Sequence, residues 1–328
     1  MKLGWGMVST GRASDALLGP AINAESNSRI AAVYSRDRER ADAFAAKHGA
    51  DHAYTSYAEM LKDPAVDVVY IASPNGLHAE QAIEAAQAGK HVYCEKPLAL
   101  NPDDARRVSA AAKKAGVRLG VDFQTRHYAA NQEAVKLIRD GAIGDILVMQ
   151  IESCAAGNPL KGWRTDPELA GMGSVNNIAV HPLDLARYFA GAEVAEVVAM
   201  TNAGRSDDLE TISLITLRFK NGALAYINGS QGTPNPRADM EVYGSKGRIS
   251  GRNTTRPFLE GELLVLSGTD EKSTPFDTKD GFQRAVAAFN RAVIDGSEPD
   301  PSGEDGVKSV ELVDAIAKSA RTGTVVRL

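Results

Sequence analysis

Lys96 stands in an unusual place for a charged residue, directly after a predicted strand. The stretch 91–95, HVYCE, has the β-branched and aromatic residues of a strand, and Pro97 follows the lysine. Proline cannot continue a central strand and restricts the residue before it to extended or turn geometry, so we predict that the strand ends here. Open α/β sheets bind ligands at the carboxyl ends of their strands. The Lys96 ammonium is therefore expected at a ligand-binding edge.

Three polar residues in the second half of the chain are spaced for one helix face. Asn177, His181 and Asp184 are four and three residues apart, and these offsets return to the same side of a helix. One face can line one pocket, and a histidine there can exchange a proton near neutral pH. A histidine on a helix is also a common structural residue. The spacing makes His181 a candidate acid/base without excluding a packing role.

The turn after the first predicted strand is compared with the glycine fingerprint of dinucleotide-binding proteins. In VSTGRAS, residues 8–14, the three small positions of G-x-G-x-x-G/A are filled by Ser9, Gly11 and Ser14. Serine is small enough for a backbone to approach a pyrophosphate, and its hydroxyl can donate to phosphate. The alternative is an ordinary strand-to-helix turn. Its position at the first strand of an alternating series favours the phosphate site.

The end of the second predicted strand bears on which dinucleotide binds. Ser35 stands where a fold that selects NAD usually has an acidic residue against the ribose 2′-hydroxyl, and Arg36 and Arg40 follow one helical turn apart. Two guanidinium groups can flank a 2′-phosphate. The alternative is a solvated helix face on which the arginines pair with Asp37 or Glu39. We predict NADP, with NAD as the alternative.

The segment ASPNGLHAEQA, residues 72–82, ends another predicted strand and begins a helix. It brings Pro74, Asn75 and His78 to the carboxyl edge where the nicotinamide is expected. Instead of contacting the cofactor, Asn75 can cap the helix, and His78 can cap the helix or pack on it.

Composition sets bounds on the class of protein. The 328 residues are 43% hydrophobic and 24% charged, which is typical of globular material with room for two domains. A net charge of −5 and a pI of about 5.8 argue against nucleic acid or an anionic membrane as the main partner. Two cysteines, without CxxC spacing, indicate a reducing compartment. With no signal-peptide pattern and no spanning apolar run, we expect a cytoplasmic protein, and no metal site is predicted.

The order of elements predicts the fold class. Over the first 120 residues, apolar strands alternate with helices at 37–48, 77–88 and 102–115, which indicates a parallel sheet covered on both faces. Beyond that point strands dominate, and Asn221-Gly222 is a strong hairpin signal. We predict a Rossmann domain over 1–121 and, over 122–328, an α+β domain with a large, mostly antiparallel open sheet. Helices at 280–295 and 304–321 close the chain, the last packing back on the first domain.

Several longer segments together resemble one family of sugar oxidoreductases. They are SPNGLHAEQAIEAAQAGKHVYCEKPLAL (73–100), GWRTDPELAG (162–171), IAVHPLDLARYFAG (178–191), MEVYGSKGRISG (240–251) and GEDGVKSVELVDAIAKSARTG (303–323). The chain thereby resembles the family of glucose-fructose oxidoreductase and inositol dehydrogenase (GFO/IDH/MocA) over its whole length. Within it, 1,5-anhydrofructose reductases, sugar dehydrogenases and dihydrodiol dehydrogenases look nearest. The resemblance implies reversible hydride transfer between NAD(P) and a carbohydrate, and dimers or tetramers formed through the open sheet.

The resemblance also implies roles for single residues. Lys96 matches the family lysine beside the nicotinamide and the reacting hydroxyl, and His181 matches the acid/base. Asp184 fits the pattern, whereas Asn177 stands where an aspartate is usual. Trp163 and Arg164 match a segment near the substrate, and an interface arginine stacked on the ring is their alternative. We predict that the cofactor contacts mostly small and polar side chains: Ser9, Thr10, Gly11, Arg12, Ser14, Ser35, Arg36, Arg40, Ser73, Pro74, Asn75, His78, Glu95, Lys96 and Gln124.

These observations give one leading hypothesis and one rival. The leading hypothesis is an NADP-preferring oxidoreductase acting on a sugar, anhydrosugar or polyol, with Lys96 and His181 exchanging the hydroxyl proton. The rival is a dinucleotide-bound sensor with the same fold and little turnover, since the family includes repressors of sugar pathways. Loops 153–165 and 231–238 are expected to shape the substrate pocket, and their sequence does not identify the substrate.

Overall fold

A computed structural model of the chain describes residues 2–157, 160–203 and 209–328. The chain divides into two compact units. The first comprises residues 1–122 and 282–310, and the second comprises 123–281 and 311–328. The predicted boundary at residue 121 lies next to the first of these transitions. The assignment of residues 282–302 to the first unit was not part of the prediction.

The strands form two sheets. Their bounds are β1 (Leu3–Val8), β2 (Ser28–Tyr34), β3 (His52–Tyr54), β4 (Val68–Ile71), β5 (His91–Cys94), β6 (Leu119–Val121), β7 (Ile146–Glu152), β8 (Val194–Thr201), β9 (Ser213–Phe219), β10 (Leu224–Asn228), β11 (Met240–Gly244), β12 (Gly247–Arg252), β13 (Glu260–Ser267), β14 (Asp270–Asp277) and β15 (Val326–Arg327).

The helices between them follow local capping signals. Asn101 shows the mechanism: its side chain accepts a hydrogen bond from Asp104 N at the start of a helix whose C-terminal cap is Gly116, with φ 69°. The helices are α1 (Gly19–Ala24), α2 (Arg38–His48), α3 (Tyr57–Lys62), α4 (His78–Gln87), α5 (Pro102–Ala115), α6 (Ala129–Arg139), α7 (Pro167–Ala170), α8 (Val180–Ala190), α9 (Gly281–Asp295) and α10 (Gly303–Thr322).

The first unit contains a six-stranded parallel sheet. Its strand order is β3-β2-β1-β4-β5-β6, and every residue of β1 and β4 is buried, as expected for strands covered on both faces. The order reverses between β1 and β4, and the crevice at such a switch point is where doubly wound sheets bind dinucleotides. The predicted parallel Rossmann sheet is confirmed.

Helix α9 belongs to the core of the first unit, although it follows the second sheet in the chain. Phe289 packs edge-on to the fully buried Trp5 with ring centroids 5.7 Å apart, and lies 4.8 Å from Tyr93. The indole Nε1 of Trp5 donates to Asn290 Oδ1 at 3.2 Å. Burial of these large rings explains why α9 joins the first unit rather than the second.

Helix α10 is divided between the units. Its first residues, 303–310, belong to the first unit, where a Cβ on Gly306 would come within 2.7 Å of the Val121 side chain. From residue 311 onward it belongs to the second unit, where Leu312 and Ile316 are buried. The prediction that this helix packs on the first domain corresponds to its first half.

The second unit is built on a nine-stranded sheet of order β14-β13-β12-β11-β7-β10-β9-β8-β15. β7 and β10 pair in parallel, and the other paired strands of this sheet are antiparallel. β9 and β10 form the predicted hairpin, with Gly222 at φ 92°. Its inner face packs on α8 and on the second half of α10. The predicted large, mostly antiparallel sheet is confirmed.

Within the described ranges, no helix is long and apolar enough to cross a membrane.

Candidate functional site

The turn after β1 lies at the switch point of the first sheet. Ser9 has φ 101°, in the region that favours glycine, and its Oγ accepts a hydrogen bond from Gly11 N at 3.0 Å. Gly11 and Arg12 are exposed, and Thr10 is half-buried. The first position of the fingerprint therefore keeps the glycine-like backbone although it carries a side chain. Backbone N–H groups of an exposed turn at a helix start suit a pyrophosphate.

Ser14 differs from its neighbours in this turn because it is fully buried. Its exposed fraction is 0%, and its Oγ has no hydrogen-bond partner within the part of the chain that the structure describes. It is the second residue of the π-helical turn Ala13–Leu18, which continues into α1. The third fingerprint position normally allows close packing of helix against strand. Ser14 fits that packing role, and direct contact with a phosphate stays a prediction.

The edge of β2 presents two unengaged arginines. Arg36 and Arg40 are exposed, and neither has an ion-pair partner among the described residues. The neighbouring carboxylates are used elsewhere: Asp37 caps α2 by accepting from Arg40 N at 3.1 Å, and Asp42 pairs with Arg38 at 2.9 Å. The alternative, in which Arg36 and Arg40 pair on the helix face, is not what the structure shows.

The loop after β4 is fixed largely by its own hydrogen bonds. Ser73 Oγ donates to Gln81 Oε1 at 2.6 Å, and no side chain caps α4. Asn75 is buried in the 3-10 turn Asn75–Leu77, so the capping alternative for its side chain is not supported. His78 is 0% exposed, with both ring nitrogens near main-chain carbonyls. Direct contact of His78 with a cofactor has no support in this arrangement.

β5 ends before Lys96, as predicted. Glu95 N donates to Ile71 O at 2.9 Å, and Tyr70 OH donates to Glu95 Oε1 at 2.9 Å. Lys96 is half-buried and is joined to Pro97 by a cis peptide bond. The lysine therefore leaves the sheet from a main chain that the neighbouring strand holds.

A second buried tyrosine lies on β5, the strand that carries Lys96 at its end. Tyr93 OH donates to Asp122 Oδ1 at 2.9 Å, and Tyr93 lies opposite Tyr70 in the register of β5 and β4. Burial raises the pKa of both phenols well above their ordinary value, so both keep the proton they donate. Sequence analysis missed this pair of tyrosines. The signal was available, since each lies inside an otherwise apolar strand just before the ligand edge.

In the second unit, His181 lies in the first turn of α8. Its Nδ1 is 3.4 Å from Thr125 Oγ1, and the ring is half-buried. α8 continues the π-helical turn Val175–Ala179, which contains Asn177. The Asn177 amide donates to Gln231 Oε1. Because that turn is wider than an α-helix, the predicted single face for all three polar residues holds only approximately.

Asp184 is used inside the fold. It is 1% exposed, and its carboxylate accepts from Arg126 Nε and Nη2 at 2.7 and 2.6 Å, a bidentate pair in which Arg126 is also buried. Arg187 lies 3.5 Å from the same carboxylate. Its predicted contact with substrate stays a prediction, whereas the ion pair that joins α8 to the turn Gln124–His127 is observed. Gln124 belongs to this unit and is 6% exposed.

Glu210 holds the chain just before the His181 helix. It is 3% exposed, and its carboxylate accepts from Gly173 N at 2.9 Å and Val175 N at 2.8 Å. Burial raises its pKa above the ordinary value, against the effect of these hydrogen bonds. Nothing in the sequence around Glu210 indicated this role, because its partners are distant in the chain.

Trp163 and Arg164 form a stacked pair in the turn Gly162–Thr165. The guanidinium lies 4.3 Å from the centre of the indole ring, and both side chains are half-buried. The predicted pocket loop 153–165 includes residues 158–159, which lie outside the described residues. Among those that are described, no group of three or more His, Cys, Asp or Glu is arranged to hold a metal ion.

A parallel sheet of this order with a fingerprint turn at its switch point is the architecture of a dinucleotide-binding unit, and here a large open sheet follows it. Residues 3–123 match the oxidoreductase family with an NAD-binding Rossmann fold, and residues 131–250 match the GFO/IDH/MocA C-terminal domain.

Named relatives agree with these matches. The chain is 33% identical over 322 residues to 1,5-anhydro-D-fructose reductase of Ensifer adhaerens, covering 97% of this chain and 96% of that protein. It is 34% identical over 311 residues to D-xylose 1-dehydrogenase (NADP(+)) 2 of Haloferax volcanii, covering 94% of each. The solved structure of levoglucosan dehydrogenase with NADH and levoglucosan has a TM-score of 0.89 at 26% identity, covering 100% of this chain and 99% of that one. The protein belongs to the GFO/IDH/MocA oxidoreductase family.

Proposed function

We propose that this protein transfers a hydride between NAD(P) and a sugar, anhydrosugar or polyol. One arrangement carries the proposal: Lys96 follows β5 at the same sheet edge as the Ser9–Gly11 turn after β1. The relatives include a reductase named for an anhydrosugar and a dehydrogenase named for a sugar, which supports this substrate class. Because these relatives are enzymes, the sensor hypothesis is not favoured.

The first unit has side chains that fit a dinucleotide. The Ser9–Gly11 turn would hold the pyrophosphate, the loop of Ser73 and Asn75 would line the nicotinamide side, and the exposed arginines would meet the ribose. Bound nicotinamide would supply or accept the hydride, which no protein side chain can do. The residues of the chain bind, orient and exchange the proton.

Lys96 and His181 are the proposed proton-exchanging groups. When a carbonyl is reduced, the Lys96 ammonium donates a proton from Nζ to the carbonyl oxygen, and in oxidation the neutral amine takes that proton from the hydroxyl. His181 can hold or release a proton near neutral pH. Its ring is oriented by Thr125, on the turn that Arg126 ties to Asp184. Asn177 keeps hydrogen-bonding capacity where the family aspartate would add charge.

We propose NADP as the preferred cofactor. Arg36 and Arg40 are exposed and without ion pairs among the described residues, so both guanidinium groups are available to a 2′-phosphate. Ser35→Asp should shift the ratio of kcat/KM values toward NAD, because a carboxylate repels the 2′-phosphate and binds the 2′-hydroxyl. Ser56→Asp adds the same charge at the cap of α3 and should leave the ratio unchanged. Equal kcat/KM values for both cofactors in the parent and in Ser35→Asp would contradict NADP preference.

The activity itself is tested by a substrate screen. Purified protein is mixed with NAD, NADP or their reduced forms and a panel of sugars, anhydrosugars and polyols, and the absorbance of the reduced nicotinamide is followed. We expect turnover of at least one carbohydrate. Tight dinucleotide binding without turnover of any member of the panel would contradict the proposal and restore the sensor hypothesis.

We also propose self-association through the outer face of the second sheet. Val198, Met200, Leu214, Leu224 and Tyr226 are exposed on β8, β9 and β10, and alternate with residues buried on the inner face. Met200 is 73% exposed, and such an apolar face on a sheet is typical of an interface. Met200→Glu should lower the mass measured by light scattering. If the parent and Met200→Glu both have the mass of a monomer, the proposed interface is refuted. The buried, unpaired thiols of Cys94 and Cys154 support a cytoplasmic location.

A further inference from the structure

His78 is buried beneath the loops that follow β4 and β5. Its exposed fraction is 0%, and it is the first residue of α4. The ring nitrogen Nδ1 lies 2.7 Å from the carbonyl oxygen of Pro97, and Nε2 lies 2.9 Å from that of Ser73. The ring therefore lies between the Ser73 carbonyl and the carbonyl of Pro97, the residue that directly follows Lys96.

The two carbonyl acceptors cannot both be served by a neutral imidazole, which carries one N–H. Burial lowers the pKa of His78, and this effect outweighs the opposing effects of the carbonyls of Pro97 and Ser73 and of the Glu95 carboxylate. Lys96 acts in the same direction as burial. The neutral ring is thus favoured, and the shorter contact assigns its N–H to Nδ1.

We propose that His78 is a positioning residue for Lys96, donating from Nδ1 to the Pro97 carbonyl and so fixing the main chain that carries the lysine. The inference rests on the proposed function, because it takes Lys96 as the proton-exchanging group. On the other side of Lys96, Glu95 is held by Ile71 O through its N–H and by Tyr70 OH through its carboxylate. The lysine is thereby bracketed by one fixed residue on each side.

This role explains why a polar ring is buried at the start of α4. Pro97 has no N–H to anchor it, so its carbonyl is the main-chain group through which a neighbour can hold it. Leu98 is 0% exposed, so the segment is packed beyond that point. If Pro97 shifted after losing this hydrogen bond, the main chain of Lys96 would shift with it, and small displacements of a reacting group are costly to rate.

Asparagine and glutamine separate the two ends of the ring. The Asn amide nitrogen lies near the position of Nδ1, and the Gln amide nitrogen near that of Nε2. His78→Asn therefore keeps a donor toward Pro97, His78→Gln keeps one toward Ser73, and His78→Leu keeps neither. Ala82→Gly, at a buried position of the same helix, controls for weakened helix stability.

Two quantities are measured on the full chain with NADP added: kcat, and the pH at which Lys96 becomes half-reactive toward an amine-modifying reagent. We expect His78→Gln and His78→Leu to lower kcat by about 10- to 100-fold and to shift the Lys96 midpoint. For His78→Asn and Ala82→Gly, kcat should stay within about threefold of the parent value. The cofactor Kd should also change by no more than about threefold in all four variants.

Equal losses in His78→Asn and His78→Gln would overturn the inference, because the ring would then only fill space. Parent values of kcat and of the Lys96 midpoint in His78→Leu would overturn it as well. If the parent itself turns over no substrate, the proposed function fails, and the Lys96 midpoint alone decides: a shift in His78→Gln but not in His78→Asn supports positioning, and no shift in either contradicts it.

Discussion

The turn after β1 and the start of α8 both carry predicted site residues, but they are stabilised in opposite ways. The turn after β1 is exposed at Gly11 and Arg12, and its side-chain hydrogen bond from Gly11 N to Ser9 Oγ is local. The start of α8 is fixed by buried carboxylates, Glu210 on the preceding residues and Asp184 on Arg126. The turn after β1 therefore exposes main-chain groups to solvent, whereas the charged groups at the start of α8 are buried and hydrogen-bonded.

The difference follows from what each region has to bind. A pyrophosphate is held by main-chain N–H groups and helix ends, which need an accessible turn rather than a fixed side chain. An acid/base such as His181 must keep one orientation, and orientation comes from packed and hydrogen-bonded neighbours. Substitutions in the second region should therefore cost stability, whereas those in the first should mainly change ligand binding.

The largest stability effect is expected at the buried ion pair. Asp184→Asn leaves the Arg126 guanidinium buried beside a neutral amide, and the free energy of unfolding should fall by about 3–5 kcal/mol. Asp42→Asn breaks the exposed pair with Arg38 and should leave urea unfolding unchanged. Similar unfolding midpoints for the two variants would show that the buried pair at the start of α8 stabilises the fold no more than an exposed one.

The Glu210 cap should give a smaller and pH-dependent effect. Glu210→Gln turns an amide N–H toward a backbone N–H, which should lower the free energy of unfolding by about 1–3 kcal/mol near pH 5. Because burial raises the folded pKa above the unfolded one, the stability that Glu210 contributes is complete below the unfolded pKa and declines as pH rises through the folded pKa. The loss caused by Glu210→Gln should therefore be smaller near pH 8 than near pH 5.

Urea titrations of the parent and of Glu210→Gln at the two pH values check this sign. Glu168→Gln, an exposed glutamate in the first turn of α7, is the control and should have little effect at either pH. If the loss of unfolding free energy in Glu210→Gln grows with pH, folding favours the ionised carboxylate. That result would contradict a raised pKa of Glu210 in the folded protein.

The smallest effects are expected at two buried serines in the first unit. Ser28 Oγ donates to Ile22 O at 2.9 Å, whereas Ser14 Oγ has no partner among the described residues. Ser28→Ala should therefore lose about 1 kcal/mol, and Ser14→Ala should lose nothing or gain up to about 1 kcal/mol. An unchanged cofactor Kd in Ser14→Ala would leave Ser14 with the packing role alone. A clear rise of that Kd would instead place the Ser14 hydroxyl on the phosphate.

Local signals in the sequence were enough to predict most of the elements. The helix 102–115 was predicted with its observed bounds because Asn101, Pro102 and Gly116 mark both ends within the sequence itself. The hairpin at Asn221-Gly222 was found for the same reason. Strand β14 gave no comparable signal, since its sequence DEKSTPFD is largely polar and its pairing depends on the neighbouring strand.

What the sequence could not show was contact between distant residues. The packing of Phe289 on Trp5, which draws α9 into the first unit, has no local signature. The same holds for the candidate site: the spacing indicated His181, but not that Arg126 would occupy the Asp184 carboxylate or that Glu210 would hold the preceding turn. Burial of one charge by another is decided only when the fold brings the two together.

Replacing Lys96 by methionine tests the proposed chemistry most directly. Lys96→Met keeps similar length but removes the proton donor, so kcat for the carbohydrate found in the screen should fall by about 10² to 10⁴ with NADP Kd unchanged. Lys114→Met, on the exposed part of α5, is the matched control and should keep parent kcat. Parent kcat in Lys96→Met would contradict the assignment of Lys96 as the group that exchanges the proton.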